Sequence, residues 1–177
     1  MRTRFLALWL AAGIPGSLAA QPASPAPNAA VGTARELWKS VTDYITTAAN
    51  EVPEAQYGYR PVATVRSFGQ LIAHVAGAQY LICAAALGDP ARAEDEIERT
   101  KTTKAELVAA LRASSEYCAK AYAQSDAEAQ QRTQLFGQEQ SRLYALGLNA
   151  THNGEHYGNI VTYLRMQGSI PPSSRRP

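Results

Sequence analysis

His152 and His156 stand four residues apart in the stretch THNGEHYGNIVTYLRMQG, and the chain has one other histidine, His74. On a helix that spacing puts both imidazoles on one face, about one turn from each other, where two such side chains can hold one metal ion. His74 falls in FGQLIAHVAGAQYLIC, beside an apolar stripe of Leu71, Val75 and Ala78 that must face a protein interior. Taken singly, each histidine reads as a partly buried imidazole with a hydrogen-bond partner. Taken together, two share one helix face and the third lies on a core-facing helix, and the pattern favours a metal site with His74, His152 and His156 as ligands. Neutral imidazoles suit zinc, iron, nickel, copper or manganese to differing degrees, and three protein ligands leave a coordination position for water or substrate. A position of that kind can activate water or polarise a bound group.

Residues 152–156 also spell H-x-x-E-H, the pattern of inverted zinc proteases, in which the glutamate is the general base. Those enzymes take a further acidic ligand far downstream, whereas 21 residues follow His156 here and none is acidic. Glu155 therefore reads as a solvated carboxylate or one beside the ligands, without a catalytic role. Gln70, Asn159 and Tyr163 are candidates for orienting a ligand or substrate, weighed against ordinary packing or capping. Gly154 costs about 1 kcal/mol of helix propensity in mid-helix, which a close approach by a neighbouring helix would explain.

The elements that must position these side chains are helices. Thr33 with Glu36, Ser67 with Gln70 and Thr103 with Glu106 each form a capping-box signature. Each precedes apolar residues at helical spacing: Leu37, Val41, Tyr44 and Ile45; then Phe68, Leu71, Ile72, Val75, Ala78 and Ile82; then Leu107, Ala110, Leu111 and Tyr117. A fourth helix starts near Gln138, carries Leu143, Leu146, Ile160, Tyr163 and Leu164, and ends at Gly168 ahead of Pro171 and Pro172. Strand signals are weak throughout. The fold class is all-α, a bundle of four helices of roughly 17 to 30 residues.

Between the second and third predicted helices lie about fifteen residues, Gly88 to Thr102, long enough to run back along a bundle. Cys83 lies 16 residues after Ser67, and Cys118 lies 15 after Thr103. Parallel helices would put the two cysteines at nearly one height; antiparallel ones would hold them roughly 15 to 20 Å apart at ~1.5 Å per residue, too far to bridge. A Cys83–Cys118 disulfide therefore implies that helices 2 and 3 are parallel, and export favours it. Two buried free thiols are the alternative.

Export is read from the first twenty residues, MRTRFLALWLAAGIPGSLAA, whose order of basic, apolar and small residues is that of a cleaved signal peptide. The protein is then periplasmic or secreted. Cleavage removes Arg2 and Arg4, so the 17 basic and 15 acidic residues become 15 and 15. A balanced charge without a Lys/Arg cluster argues against nucleic-acid binding, and no later run of ~18 apolar residues offers a stable membrane anchor. Residues 21–32, QPASPAPNAAVG, read as a Pro/Ala-rich tether, and residues 33–174 as one domain. Leu37, Trp38, Val41 and Tyr44 lie on overlapping faces of the first helix, so that they either cover the core or offer an edge to a homodimer. Asn149, Ala150 and Thr151 spell a glycosylation sequon, whose place on the fourth helix marks it as coincidence.

The second helix with its single histidine, the fourth with its H-x-x-x-H pair, and the IPPSS tail resemble the DinB-like (DinB/YfiT) superfamily over about residues 33–174. The resemblance implies a four-helix bundle of unusual helix order and a divalent metal, Zn, Ni, Fe or Mn, held by three histidines that correspond to His74, His152 and His156. It supplies no single reaction. Some relatives join low-molecular-weight thiols to electrophiles, with the metal thought to activate the thiol. Two functions follow. One is a metal-dependent enzyme, transferase or hydrolase, that activates a thiol or water against a small electrophilic substrate. The other is a protein that holds a metal or small ligand without chemistry.

Overall fold

The computed structural model describes residues 28–175; the export segment 1–20 and residues 21–27 of the tether lie outside that range. In chain order the elements are α1 (Ala29–Glu51), α2 (Phe68–Leu87), α3 (Glu96–Thr100), α4 (Lys104–Ala121), α5 (Asp126–Ala129), β1 (Arg132–Leu135), β2 (Gln138–Ser141) and α6 (Arg142–Met166). The long helices α1, α2, α4 and α6 are the four expected from the apolar periodicity, and they pack as a mostly helical bundle. By length and composition alone α2 would pass for a membrane span. It is instead the central helix, with 15 of its 20 residues buried and with α3, α4 and α6 packed around it.

The capping boxes at Ser67 and Thr103 form as expected, each hydroxyl accepting from the backbone N–H three residues on and each Gln or Glu answering in return. The first helix departs from expectation. It begins at Ala29 rather than after Thr33, so residues 29–32, assigned to the tether, are helical. Its cap comes from far away in the chain: the Asp126 carboxylate accepts from the Ala30 and Val31 N–H groups at 3.1 and 2.9 Å, and the Asp126 N–H donates to Asn28 Oδ1 at 3.0 Å. Thr33 lies inside the helix and donates to the Ala29 carbonyl, a bond open to any mid-helix threonine.

A second departure precedes α6. Residues 138–141, placed in the fourth helix, form β2 of an antiparallel hairpin in which Arg132 faces Ser141 and Leu135 faces Gln138. Phe136 and Gly137 turn the chain with φ of 51° and 75°, the two left-handed residues a tight hairpin demands. Helix α6 starts at Arg142, capped by Ser141 Oγ accepting from the Tyr144 N–H at 3.0 Å.

Two apolar clusters fill the bundle. One gathers Ile45, Phe68, Leu71, Ile72, Val75, Leu111, Ile160 and Leu164. The other gathers Trp38, Ile82, Tyr122 and Leu146 around a Cys83–Cys118 disulfide, with Trp38 stacked on Tyr122 at 4.5 Å. Between them lies a buried polar layer. Gln79 Oε1 accepts from Trp38 Nε1 at 2.8 Å and from Asn153 Nδ2 at 3.3 Å, Gln79 Nε2 donates to Ser114 Oγ at 3.0 Å, and Asn153 Nδ2 also donates to Thr42 Oγ1 at 3.0 Å. Contacts between α2 and α4 climb both helices together: Gly69 against Leu107, Gln79 with Ser114, Cys83 with Cys118. Of the α1 residues that might have offered an edge, Trp38 is buried, Val41 packs against the core, Tyr44 stacks on Tyr157, and Leu37 is exposed. The sequon residue Asn149 is fully buried, its amide against Tyr122 and the disulfide sulfurs.

Candidate metal centre

His74 lies two turns into α2, on the face that meets α6, and His152 and His156 lie one turn apart on the facing side of α6. Their Nε2 atoms converge. His152 Nε2 is 3.2 Å from His74 Nε2 and 3.1 Å from His156 Nε2, and one nitrogen of each ring lies within 4.8 Å of the others. Hydrogen bonding alone does not explain that convergence. An Nε2 that carries a proton can donate it to one neighbour, yet His152 Nε2 faces two, while its Nδ1 is buried without any partner. A cation explains it: an ion ~2.0–2.1 Å from each imidazole nitrogen spaces neighbouring ligands by roughly 2.9 Å at right angles and 3.4 Å at tetrahedral angles. Both observed separations fall inside that window.

Electrostatics prepares the rings for the same task. Burial pushes the His74 pKa down to about 3, aided by Arg66 and then by the other two histidines. Burial pushes His156 down to about 4, with His152 adding to the shift. His152 is lowered by burial as well, with Glu94 and Glu155 opposing. Three neutral imidazoles with inward lone pairs are the form a metal ion binds.

Of the three candidate orienting residues, the structure brings two to the site. Asn159 Nδ2 is 3.4 Å from His156 Nδ1, so the amide sits where a ligand's outer nitrogen needs a partner. A ring that ligates through Nε2 keeps its proton on Nδ1, and Asn159 would then serve through its carbonyl oxygen. Tyr163 lines the cleft beside His156, but its hydroxyl donates to the Arg66 carbonyl at 2.7 Å and so fixes the segment before α2. Gln70 is not at the centre. Its Oε1 accepts from the Ser67 N–H and from Arg60, and the side chain lines a different cleft with Tyr57 and Lys101.

Of the three histidines, His156 lines an adjoining cleft of about 620 Å³, together with Pro61, Val65, Arg66, Glu155 and Tyr163, a volume suited to a small molecule. Glu155 stands exposed at its edge. Arg66 brings positive charge to the opening and is held by Glu98, with Nε 3.2 Å from both carboxylate oxygens. Two residues near the histidines escaped the sequence reading: Arg66, and Glu94 in the connection between α2 and α3, whose Oε1 is 3.8 Å from His74 Nε2. Gly77 was the available signal for Glu94, a small residue three positions after His74 on the same helix face. The close approach expected at Gly154 occurs instead at Gly77. A Cβ at Gly154 would meet nothing within 4 Å, whereas a Cβ at Gly77 would lie 1.9 Å from the Glu94 carbonyl oxygen.

A helical bundle with three converging histidines, one of them lining a cleft, defines the class of the protein as a candidate mononuclear metalloprotein. The chain belongs to the DinB superfamily, whose sequence profile matches residues 14–160 and so includes all three histidines. Among solved structures it is similar to a DinB-like protein from Bacillus cereus ATCC 10987, with a TM-score of 0.69 at 15% identity over 80% of this chain and 95% of that one. A DinB-like protein from Bacillus subtilis aligns with a TM-score of 0.64 at 19% identity, over 82% of this chain and 99% of that one. A mycothiol-dependent maleylpyruvate isomerase aligns with a TM-score of 0.59 at 18% identity, over 82% of this chain and 78% of that one. At these identities the likeness is one of fold. No curated protein matches the chain.

Proposed function

We propose that this is an exported metal-dependent enzyme that binds one divalent ion, Zn, Ni, Fe or Mn, through His74, His152 and His156 and acts on a small electrophilic substrate. The observation that carries the reading is the convergence of three imidazole nitrogens, with His152 Nε2 3.1 Å from His156 Nε2 and 3.2 Å from His74 Nε2, while His152 Nδ1 is buried without any hydrogen-bond partner. When bound, the ion would supply Lewis acidity toward a thiol or water in the position three ligands leave open. The protein supplies the rest: Asn159 orients the His156 ring, Tyr163 and the Arg66 carbonyl hold one wall of the cleft, and the Arg66 guanidinium offers positive charge to an anionic portion of the substrate. Likeness to a mycothiol-dependent isomerase supports a thiol as the activated group, and the basic, apolar and small order of residues 1–20 supports export to the periplasm or beyond. The partner is thus a small molecule, with neither nucleic acid nor a membrane anchor; a homodimer would use the edge of α1 around Leu37. In this reading α2 and α4 run parallel, joined by the crossover over residues 88–103, in keeping with contacts that climb the two helices together.

One observation favours a second reading, a metal- or ligand-holding protein without chemistry: Glu94 stands 3.8 Å from His74 Nε2, near enough to bear on the open position. Elemental analysis of protein taken from its exported compartment, wild type beside His152→Ala, tests the common premise. About one ion per chain, lost in the variant, is expected. Wild-type protein that takes up no ion after reconstitution with several metals sinks both readings. Turnover of an electrophile panel with added thiols or water then separates enzyme from holder.

A further inference from the structure

We infer that Glu94 is a fourth protein ligand of the metal, delivered by the crossover between α2 and α4, so that the centre is a three-histidine, one-carboxylate site. This rests on the metal reading above and extends it. Three observations carry it. First, the crossover is seated on α2 at Gly77, where the Glu94 carbonyl oxygen occupies the space of a side chain. Gly77 lies three residues after His74 and therefore on the same helix face, so the glutamate's backbone is anchored within one turn of a ligand. Second, the carboxylate reaches the His74 edge of the centre, with Oε1 at 3.8 Å from His74 Nε2 and outside the three-histidine group whose nitrogens lie within 4.8 Å of one another, and among the described residues no Lys or Arg pairs with it. Third, 3.8 Å is too long for a hydrogen bond and lies just beyond the roughly 2.9–3.4 Å spacing of two ligands that share one ion. With its side chain partly exposed, the carboxylate is free to close the remaining distance.

The chemical consequence concerns which metal the site serves. A carboxylate added to three imidazoles lowers the net charge of the loaded centre and shifts preference toward ions that accept oxygen. Four protein ligands fill a tetrahedral zinc site, whereas an ion that takes six, such as Fe(II) or Mn(II), retains two positions for substrate. A zinc-loaded centre would then be closed, and an iron- or manganese-loaded one open.

The test uses the full mature protein stripped of metal and reconstituted with Co(II), read by its visible absorption and by competition with a chromogenic chelator. Glu94→Gln keeps the shape of the side chain and removes its charge at a partly exposed site, so the bundle is expected to fold. The expected result is a changed Co(II) absorption envelope and an affinity lower by about tenfold or more. An unchanged spectrum together with unchanged affinity in Glu94→Gln, while wild type still binds one Co(II) and His152→Ala binds none, would overturn the carboxylate ligand and leave the three-histidine reading standing. Failure of wild type to bind Co(II), zinc, iron, nickel or manganese overturns both.

Discussion

Replacing Gly77 by alanine should destabilise the bundle, and replacing Gly154 by alanine should stabilise it, although both are mid-helix glycines. At Gly77 the new methyl would lie 1.9 Å from the Glu94 carbonyl oxygen and 3.0 Å from its carbonyl carbon. Because those atoms are backbone, no rotamer change relieves the clash, and the segment between α2 and α3 must retreat by more than ~1 Å to restore van der Waals contact. Overpacking against backbone costs toward the upper part of its usual range, about 2–3 kcal/mol, and a helix-propensity gain of about 1 kcal/mol leaves a net loss of about 1–2 kcal/mol. At Gly154 nothing lies within 4 Å of the added carbon, so only the propensity gain of about 0.5–1 kcal/mol applies. Equilibrium urea unfolding of the metal-free, oxidised protein measures both, and thermal midpoints should move by about 2–4 °C per kcal/mol in a chain of this size. A Gly77→Ala variant as stable as wild type would refute the packing of the crossover on α2, and with it the anchoring of Glu94.

Two further outcomes are expected. Metal-free protein should lose stability as pH falls below the ordinary imidazole pKa of 6.5, because His74 and His156 are held at about 3 and about 4 when folded and the unfolded chain binds protons first. The stability carried by the neutral rings is complete above pH 6.5 and declines toward pH 3; equal urea midpoints at pH 7.5 and 5.5 would contradict this. Replacing both Cys83 and Cys118 by alanine should cost about 3–4 kcal/mol through the loop of 35 residues they close. Metal content should stay unchanged, since the bridge sits in the cluster remote from the histidines; loss of the metal would show that the two ends of the bundle are coupled.

The histidines were legible because their chemistry coincides with periodicity: two imidazoles one turn apart on a long helix and a third on an apolar stripe leave few arrangements that bury all three faces. Ser67 and Thr103 were legible because a capping box is written within four residues. The true start of α1 was not, because its cap is Asp126, some 95 residues away in the chain. The hairpin before α6 was hidden by composition, since RTQL and QEQS carry one buried apolar residue, Leu135, and no alternation to betray a strand. Asp126 opens α5, whose own capping box at Ser125 and Glu128 follows the same pattern and marks a helix of one turn. Glu94 lies in a connection without periodicity, and its place beside His74 is set by a tertiary contact at Gly77, a small residue that marks a close approach without naming what approaches. Gln70 shows the converse: of the two roles weighed for it, the capping one, written in the sequence, is the one that occupies the side chain.

The polar layer of Thr42, Gln79, Ser114 and Asn153 bears on how the helices find their alignment. Apolar stripes alone tolerate sliding, because α6 moved along its neighbours by one turn, ~5.4 Å, would still set aliphatic residues against aliphatic residues. Such a slide would carry Asn153 away from Thr42 and Gln79 and strand their buried polar atoms, at about 1–3 kcal/mol for each one left unpartnered. Asn153 adjoins His152 in the chain, so the vernier that rejects a misaligned α6 is also the one that sets both α6 imidazoles opposite His74. The spacing of the three nitrogens is therefore fixed by hydrogen bonds among uncharged side chains, before any ion arrives to use it.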